Sequence, residues 1–220
     1  MLTKLVTQRR SVRAYLPKQV PDALLQQVLR DARRAPSGSN LQPGAFLSIQ
    51  GHARQRLSNA LMEAWQHEVQ EVEDYAYGPR PLPMTMRRRQ VATAQALYGA
   101  LGIAREDRLG RDAQFERNFH FFDAPVALLV TIHRDFGSGA LMDLGMSVYG
   151  LMLAAQSHGL ATCAIGAIAS YPNLVRHSLQ LEADCAIVCG LALGYADPTA
   201  PVNRTETTRC ELNDFFQVIT

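Results

Sequence analysis

The sequence has no C-x-x-C pair among its four cysteines, Cys163, Cys185, Cys189 and Cys210, and its six histidines are scattered without metal-ligand spacing. No metal site is expected, and reduced thiols in a cytoplasmic protein follow. Neither a G-x-x-x-x-G-K-[ST] loop nor a strand-linked G-x-G-x-x-G occurs, which argues against a nucleoside triphosphate or a Rossmann-bound dinucleotide. Any nicotinamide cofactor must then bind transiently elsewhere. No basic-then-apolar leader opens the chain, and its most apolar stretch, Leu144 to Ala155, is bounded by Asp143 and Gln156 and is too short to span a bilayer, so no membrane partner is expected. Net charge is only +2, and the densest basic run, Arg87-Arg88-Arg89, lacks the interleaved aromatics of a stacking groove. It reads as a solvated helix face, with no nucleic-acid partner. Gly145 to Gly150 is one residue too long for a nucleophile elbow, so Ser147 is a small residue at a helix contact and no serine hydrolase is implied. Asn203-Arg204-Thr205 fits a glycosylation acceptor by pattern alone and, without a leader, carries no weight.

What is present suffices for one substantial core: 220 residues, 47% of them hydrophobic, are expected to form a single domain over residues 1–220. A helix is expected from Pro21 to about Arg34, with Leu24, Leu25, Val28, Leu29 and Ala32 on one stripe before Pro36. Phe46 to Gln50 reads as a strand, and the apolar spacing from His52 predicts a helix to about Tyr75. Gly78, Pro79, Pro81 and Pro83 break the chain within a helical surface excursion at about 65–120, and a further helix runs from about Thr85 to Gly99. Pro125 to Ile132 and Cys185 to Leu193 read as buried strands, Leu141 to Ser157 as a long apolar helix, Ala161 to Ile168 as an apolar segment, and a short helix starts at Pro172. The tail turns apolar at Leu212, Phe215, Phe216, Val218 and Ile219, which suits packing on a second subunit.

Two N-terminal stretches carry the chemistry. Arg9-Arg10-Ser11-Val12-Arg13 offers guanidinium groups that fork onto phosphate, and Ala35-Pro36-Ser37-Gly38-Ser39-Asn40-Leu41-Gln42-Pro43 follows a helix as a polar loop able to satisfy ring edges. Taken alone, the arginines read first as a solvated N-terminal turn, and the loop as an ordinary Ser/Gly/Asn turn. Together, both stretches resemble the signatures of the nitroreductase family, FMN-dependent homodimeric oxidoreductases, over roughly Leu5 to Phe216. Gly159 to Ala167 resembles the family loop whose backbone faces the reactive flavin edge, placing Ile165, Gly166 and Ala167 there, with the Gly166 backbone near N5. Gly194-Tyr195-Ala196-Asp197 through Asn203 to Arg209 resembles the closing signature, in which Arg209 returns to the phosphate; an exposed salt bridge is the rival reading of Arg209. The stretches Pro81 to Pro83, Ala96 to Ile103 and Asn118 to Pro125 resemble the branch that reduces nitroaromatic acids such as nitrobenzoate. Gly44 stands where many relatives place an aromatic, and Gly166 where some carry Glu.

The resemblance implies an α+β fold, a mixed sheet flanked by helices, with a C-terminal segment packing on the partner subunit. It implies FMN as cofactor, held by Arg9, Arg10, Ser11, Arg13, Pro36, Ser37, Gly38, Ser39, Asn40, Gln42, Ile165, Gly166, Ala167 and Arg209, with Ser37, Ser39 and Asn40 supplied by the other protomer. It implies NADH or NADPH as co-substrate, passing hydride to the flavin and leaving before a nitroaromatic or quinone accepts two electrons in its place. No side chain need be catalytic, because the flavin carries the redox chemistry. Alternatives on the same fold are a flavin oxidase or dehydrogenase, a reductive dehalogenase, or a non-catalytic FMN-binding module. Asn118 and His120 suit either the ring or a structural role, and Trp65, Tyr75 and Tyr77 suit core packing better than a substrate lid.

Overall fold

A computed structural model describes residues 2–219. Four strands, β1 (Ala45–Ile49), β2 (Val126–His133), β3 (Ala161–Ile165) and β4 (Cys185–Gly194), form one sheet in the order β1-β2-β4-β3. Every neighbouring pair of strands is antiparallel. The parallel component is the isolated bridge between Ser11 and Thr162, which lays the N-terminal arginine segment along β3.

The central strand β2 is covered on both faces, which is why it reads as an unbroken apolar run. Ala127 and Leu129 point into one core with Leu57, Leu61, Phe119, Ile165, Ile168 and Val175. Leu128, Val130 and Ile132 alternate into the opposite core with Val28, Leu144, Leu151 and Leu160. Leu129 is fully buried, so truncating it to Ala would cost about 2–5 kcal/mol.

The first core is roofed by α3 (Gly51–Gln66) and α7 (Pro172–Leu179), and the second by α2 (Asp22–Ala32) and α6 (Ser138–Ser157). At 20 residues, α6 is long and apolar enough by length and composition to cross a membrane, longer than the twelve-residue apolar stretch suggested. Leu144, Leu151 and Ala155 nevertheless face the second core, and Asp143 is buried within the run.

Three helices depart from expectation. The helix from His52 stops at Gln66 instead of reaching Tyr75, because Glu68 adopts a left-handed conformation with φ 51° and the following residues are captured by distant partners. Val69 and Val72 keep the helical spacing yet stand exposed. Two helices were not anticipated: α1 (Leu2–Gln8), which buries nothing, and α5 (Arg108–Glu116), capped by Asp107 accepting from the Gly110 amide. Between them α4 (Met84–Leu101) buries no residue, ends at left-handed Gly102, and runs beside the single turn Pro201–Arg204. A short helix, α8 (Leu212–Phe215), closes the described chain.

Candidate active site

The Arg9 to Arg13 segment is fixed by backbone pairing and by one side chain from the far end of the chain. The Val12 amide donates to the Thr162 carbonyl at 3.1 Å. Asn203 accepts from the Arg13 amide at 2.9 Å and donates to the carbonyls of Ala14 and Asp197, each at 2.8 Å. Arg10 donates to the Asn203 carbonyl at 3.3 Å. These contacts bring the two chain ends together around a cavity of about 610 Å³. Arg9, Arg10, Ser11, Arg13, Thr205, Glu206, Thr207, Thr208 and Arg209 all line it.

Four guanidinium groups against the single carboxylate of Glu206 make this an anion cradle. The Arg209 hydrogen bonds go only to Thr207 and Thr208, and it forms no ion pair among the described residues. Beneath the arginines, burial pushes the Tyr15 phenol and the Cys163 thiol up, the latter against the opposing pull of Arg13 and of a hydrogen bond from Ser11. Both stay neutral, so no thiolate or phenolate competes for the cationic wall.

The Ser/Asn loop lies elsewhere in the chain's surface. Ser37 Oγ accepts from the Gln42 amide at 2.9 Å, and the Gly38 amide donates to Asp143 Oδ2, also at 2.9 Å. Ser39, Asn40 and Gln42 all take positive φ, at 50°, 56° and 50°. Each such residue costs about 1–3 kcal/mol and persists only where surroundings hold it. Gly44 has φ 87°, and a Cβ placed there would lie 2.7 Å from Leu144 and 2.9 Å from the Thr131 carbonyl. This close approach, at a positive φ, accounts for glycine at position 44. Pro36, Ser37 and Gln42 border a second cavity of about 340 Å³ floored by Phe46 and Asp143, while Ser39 and Asn40 project outward, exposed. Within one chain, therefore, the loop and the arginine cradle do not meet.

At the end of β3 the Ile165 side chain is buried in the first core, leaving only its backbone to face a ligand. Gly166 is exposed, and a Cβ there would meet nothing within 4 Å. Ala167 borders a third cavity of about 460 Å³, walled by Trp65, Phe115 and Tyr171 and by residues 69–73 and Arg80. Trp65 stacks on Phe115 with ring centroids 4.4 Å apart, so it serves both core and cavity. Tyr75 donates to the Val188 carbonyl at 2.8 Å, whereas Tyr77 is exposed. Asn118 donates to the Phe115 carbonyl, and Arg54 engages His120 at its backbone carbonyl.

Sequence reasoning missed the residues that build these walls. Glu71 accepts from the Asn173 and Leu174 amides at the start of α7, and buried Asp74 pairs with Arg176 and Arg134 and accepts from the Ile187 amide. Arg54 reaches the Ala124 and His120 carbonyls and steadies three consecutive left-handed residues, Phe121, Phe122 and Asp123. Burial pushes the Arg54 guanidinium below its ordinary range, opposed by Asp123. The one signal available in sequence was Asp143, a lone charge inside an apolar helix.

An antiparallel sheet between two helical layers, with an arginine cradle closed by both chain ends, defines the class: the chain belongs to the Nitroreductase family, matched over residues 6–195. Within that family it is similar to a 4-nitrobenzoate reductase of Nocardioides sp. (strain LMS-CY), 36% identical over 208 residues that cover 93% of this chain and 84% of the relative. Among solved structures it is similar to the FMN and NADPH-dependent nitroreductase NfnB from Sphigopyxis sp. strain HMH, with TM-score 0.95, 36% identity, and coverage of 100% of this chain and 99% of that one. The FMN-dependent nitroreductase NfnB from Mycobacterium smegmatis in complex with NADPH superposes with TM-score 0.91 at 31% identity, covering 99% of this chain and 97% of that one.

Proposed function

We propose that this chain is an FMN-dependent NAD(P)H oxidoreductase that reduces nitroaromatics, nitrobenzoate-like compounds among them, or quinones, as a homodimer with two shared sites. The observation that carries the reading is the cavity that gathers Arg9, Arg10, Arg13 and Arg209 around Ser11. Its donor set fits a flavin phosphate: Arg9, Ser11 and Arg209 would hold it through charge-assisted hydrogen bonds. FMN, when bound, would supply the redox chemistry, taking hydride from the nicotinamide and passing two electrons to the acceptor in alternating half-reactions. Arg13 would sit at the pyrimidine edge, where reduction develops negative charge. The Gly166 backbone would line the reactive edge, and the aromatic cavity beside Ala167 would receive the acceptor. Ser37, Ser39 and Asn40 would reach the flavin across the subunit interface, which agrees with the exposure of Ser39 and Asn40 and with the loop and the cradle lining different cavities in one chain.

The homodimer is supported by apolar side chains left exposed on α6 and on the tail. Met142, Met146 and Tyr149 stand exposed on α6, and Phe215, Phe216, Val218 and Ile219 on the tail. The deciding experiment is the visible spectrum of the purified, FMN-supplemented protein with its mass by light scattering, followed by anaerobic NADH and NADPH titrations against nitroaromatics and quinones. A flavin spectrum, dimeric mass and alternating half-reactions are expected. A colourless monomer would overturn the reading.

A further inference from the structure

We infer that Asp143 and Leu144, consecutive residues on α6, act as a two-point clamp that sets the conformation of the Ser37 to Gly44 loop for cofactor binding. This rests on the FMN reading above. Asp143 is a buried carboxylate and the one charged residue of α6, a placement that is unfavourable unless its charge finds a donor. The donor is the Gly38 amide, 2.9 Å from Oδ2 and 105 residues away in the chain. One position on, the Leu144 side chain fills the space where any side chain at residue 44 would have to lie. The two contacts grip opposite ends of a loop that holds three non-glycine residues at positive φ.

The loop's own bond, from the Gln42 amide to Ser37 Oγ, closes it on itself but does not orient it against the body. Orientation comes from α6, the helix whose outward side carries Met142 and Met146. Subunit pairing through that side and loop placement through the inner side would then be mechanically joined. Asp143 is a positioning residue: it acts through Gly38 and its neighbours and does not touch the flavin.

The test compares Asp143→Leu, Asp143→Asn, Gly44→Ala and Ser147→Ala in the FMN-reconstituted protein, reading FMN affinity by quenching of flavin fluorescence and hydrogen exchange at the Gly38 to Gln42 amides. Asp143→Leu should weaken FMN about tenfold and speed exchange across the loop. Asp143→Asn retains an acceptor for the Gly38 amide and should restore most of both. Gly44→Ala should weaken FMN from the other end of the loop without change in α6 exchange. Ser147→Ala removes another α6 hydrogen bond, to the Ala32 carbonyl, that does not involve the loop, and should leave affinity unchanged. Equal losses in Asp143→Leu and Asp143→Asn, or a loss as large in Ser147→Ala, would overturn the clamp. FMN binding in the wild type that is indifferent to Asp143→Leu overturns the clamp alone, whereas a wild type that binds no FMN overturns the functional reading together with it.

Discussion

Asn203 is hydrogen-bonded to the backbone amide of Arg13 at 2.9 Å, across 190 residues, and spends its two donors on Ala14 and Asp197. A single side-chain amide thereby joins the two ends of the chain at the cradle. Its commitment also takes Asn203 out of consideration as a glycosylation acceptor.

Replacing Asn203 by Ala should destabilise the fold by about 2–3 kcal/mol, since three partly buried bonds at about 1 kcal/mol each are lost. Asn203→Asp should do no better, because a carboxylate would face two carbonyls that need donors. The urea midpoint at fixed protein concentration measures both, and an unchanged midpoint in Asn203→Ala would remove its role as the joint.

Arg209→Ala should weaken FMN by about ten- to a hundredfold, the worth of a charge-assisted hydrogen bond of roughly 1.5–3 kcal/mol. Riboflavin, lacking the phosphate, should bind almost as before. Equal loss for both ligands would make Arg209 a structural residue.

Arg13→Ala should lower the two-electron potential of bound FMN by about 30 mV if its preference for the reduced anion is worth roughly 1.4 kcal/mol. An equilibrium titration against a reference dye reads this directly. A potential that stays put or rises, with FMN fully bound, would move Arg13 away from the ring.

Alkaline pH should expose the Tyr75 bond. Burial, with Cys189, Glu73 and Tyr77 nearby, pushes its phenol up from 10.0 to about 12. The folded state therefore holds a proton that the unfolded chain releases first, so the contribution is complete below pH 10 and is lost as pH climbs from 10 towards 12. In Tyr75→Phe that portion of the alkaline loss should vanish. Urea midpoints across this range decide it: identical slopes in mutant and parent would refute the assignment.

Elements with a strong apolar signature were legible in the sequence, α2 by its stripe and β2, β4 and α6 by their continuous runs, because each buries one face or both against a core. The end of α3 was not, since Val69 and Val72 continue the pattern while Glu71 and Asp74 are drawn to α7 and β4, partners about a hundred residues distant. Nor could the left-handed run at Phe121 to Asp123 be foreseen, for it contains no glycine and is held by Arg54 from another helix. Of the candidate site, the arginine segment and Arg209 carried recognisable signatures and do line one cavity. Their joint at Asn203, and the loop's anchor at Asp143, are tertiary contacts without a local pattern.

The cradle draws one wall from residues 9–13 and the other from residues 205–209. During synthesis, the first wall leaves the ribosome early and waits for nearly the whole chain before its counterpart clears the exit tunnel. A nascent polypeptide lacking residues 205–209 thus has only one wall of the proposed phosphate seat, however far its sheet has formed. On the proposed reading, flavin capture has to follow the synthesis of residues 205–209, and a chain cut short before them could complete its sheet without gaining a place for the phosphate.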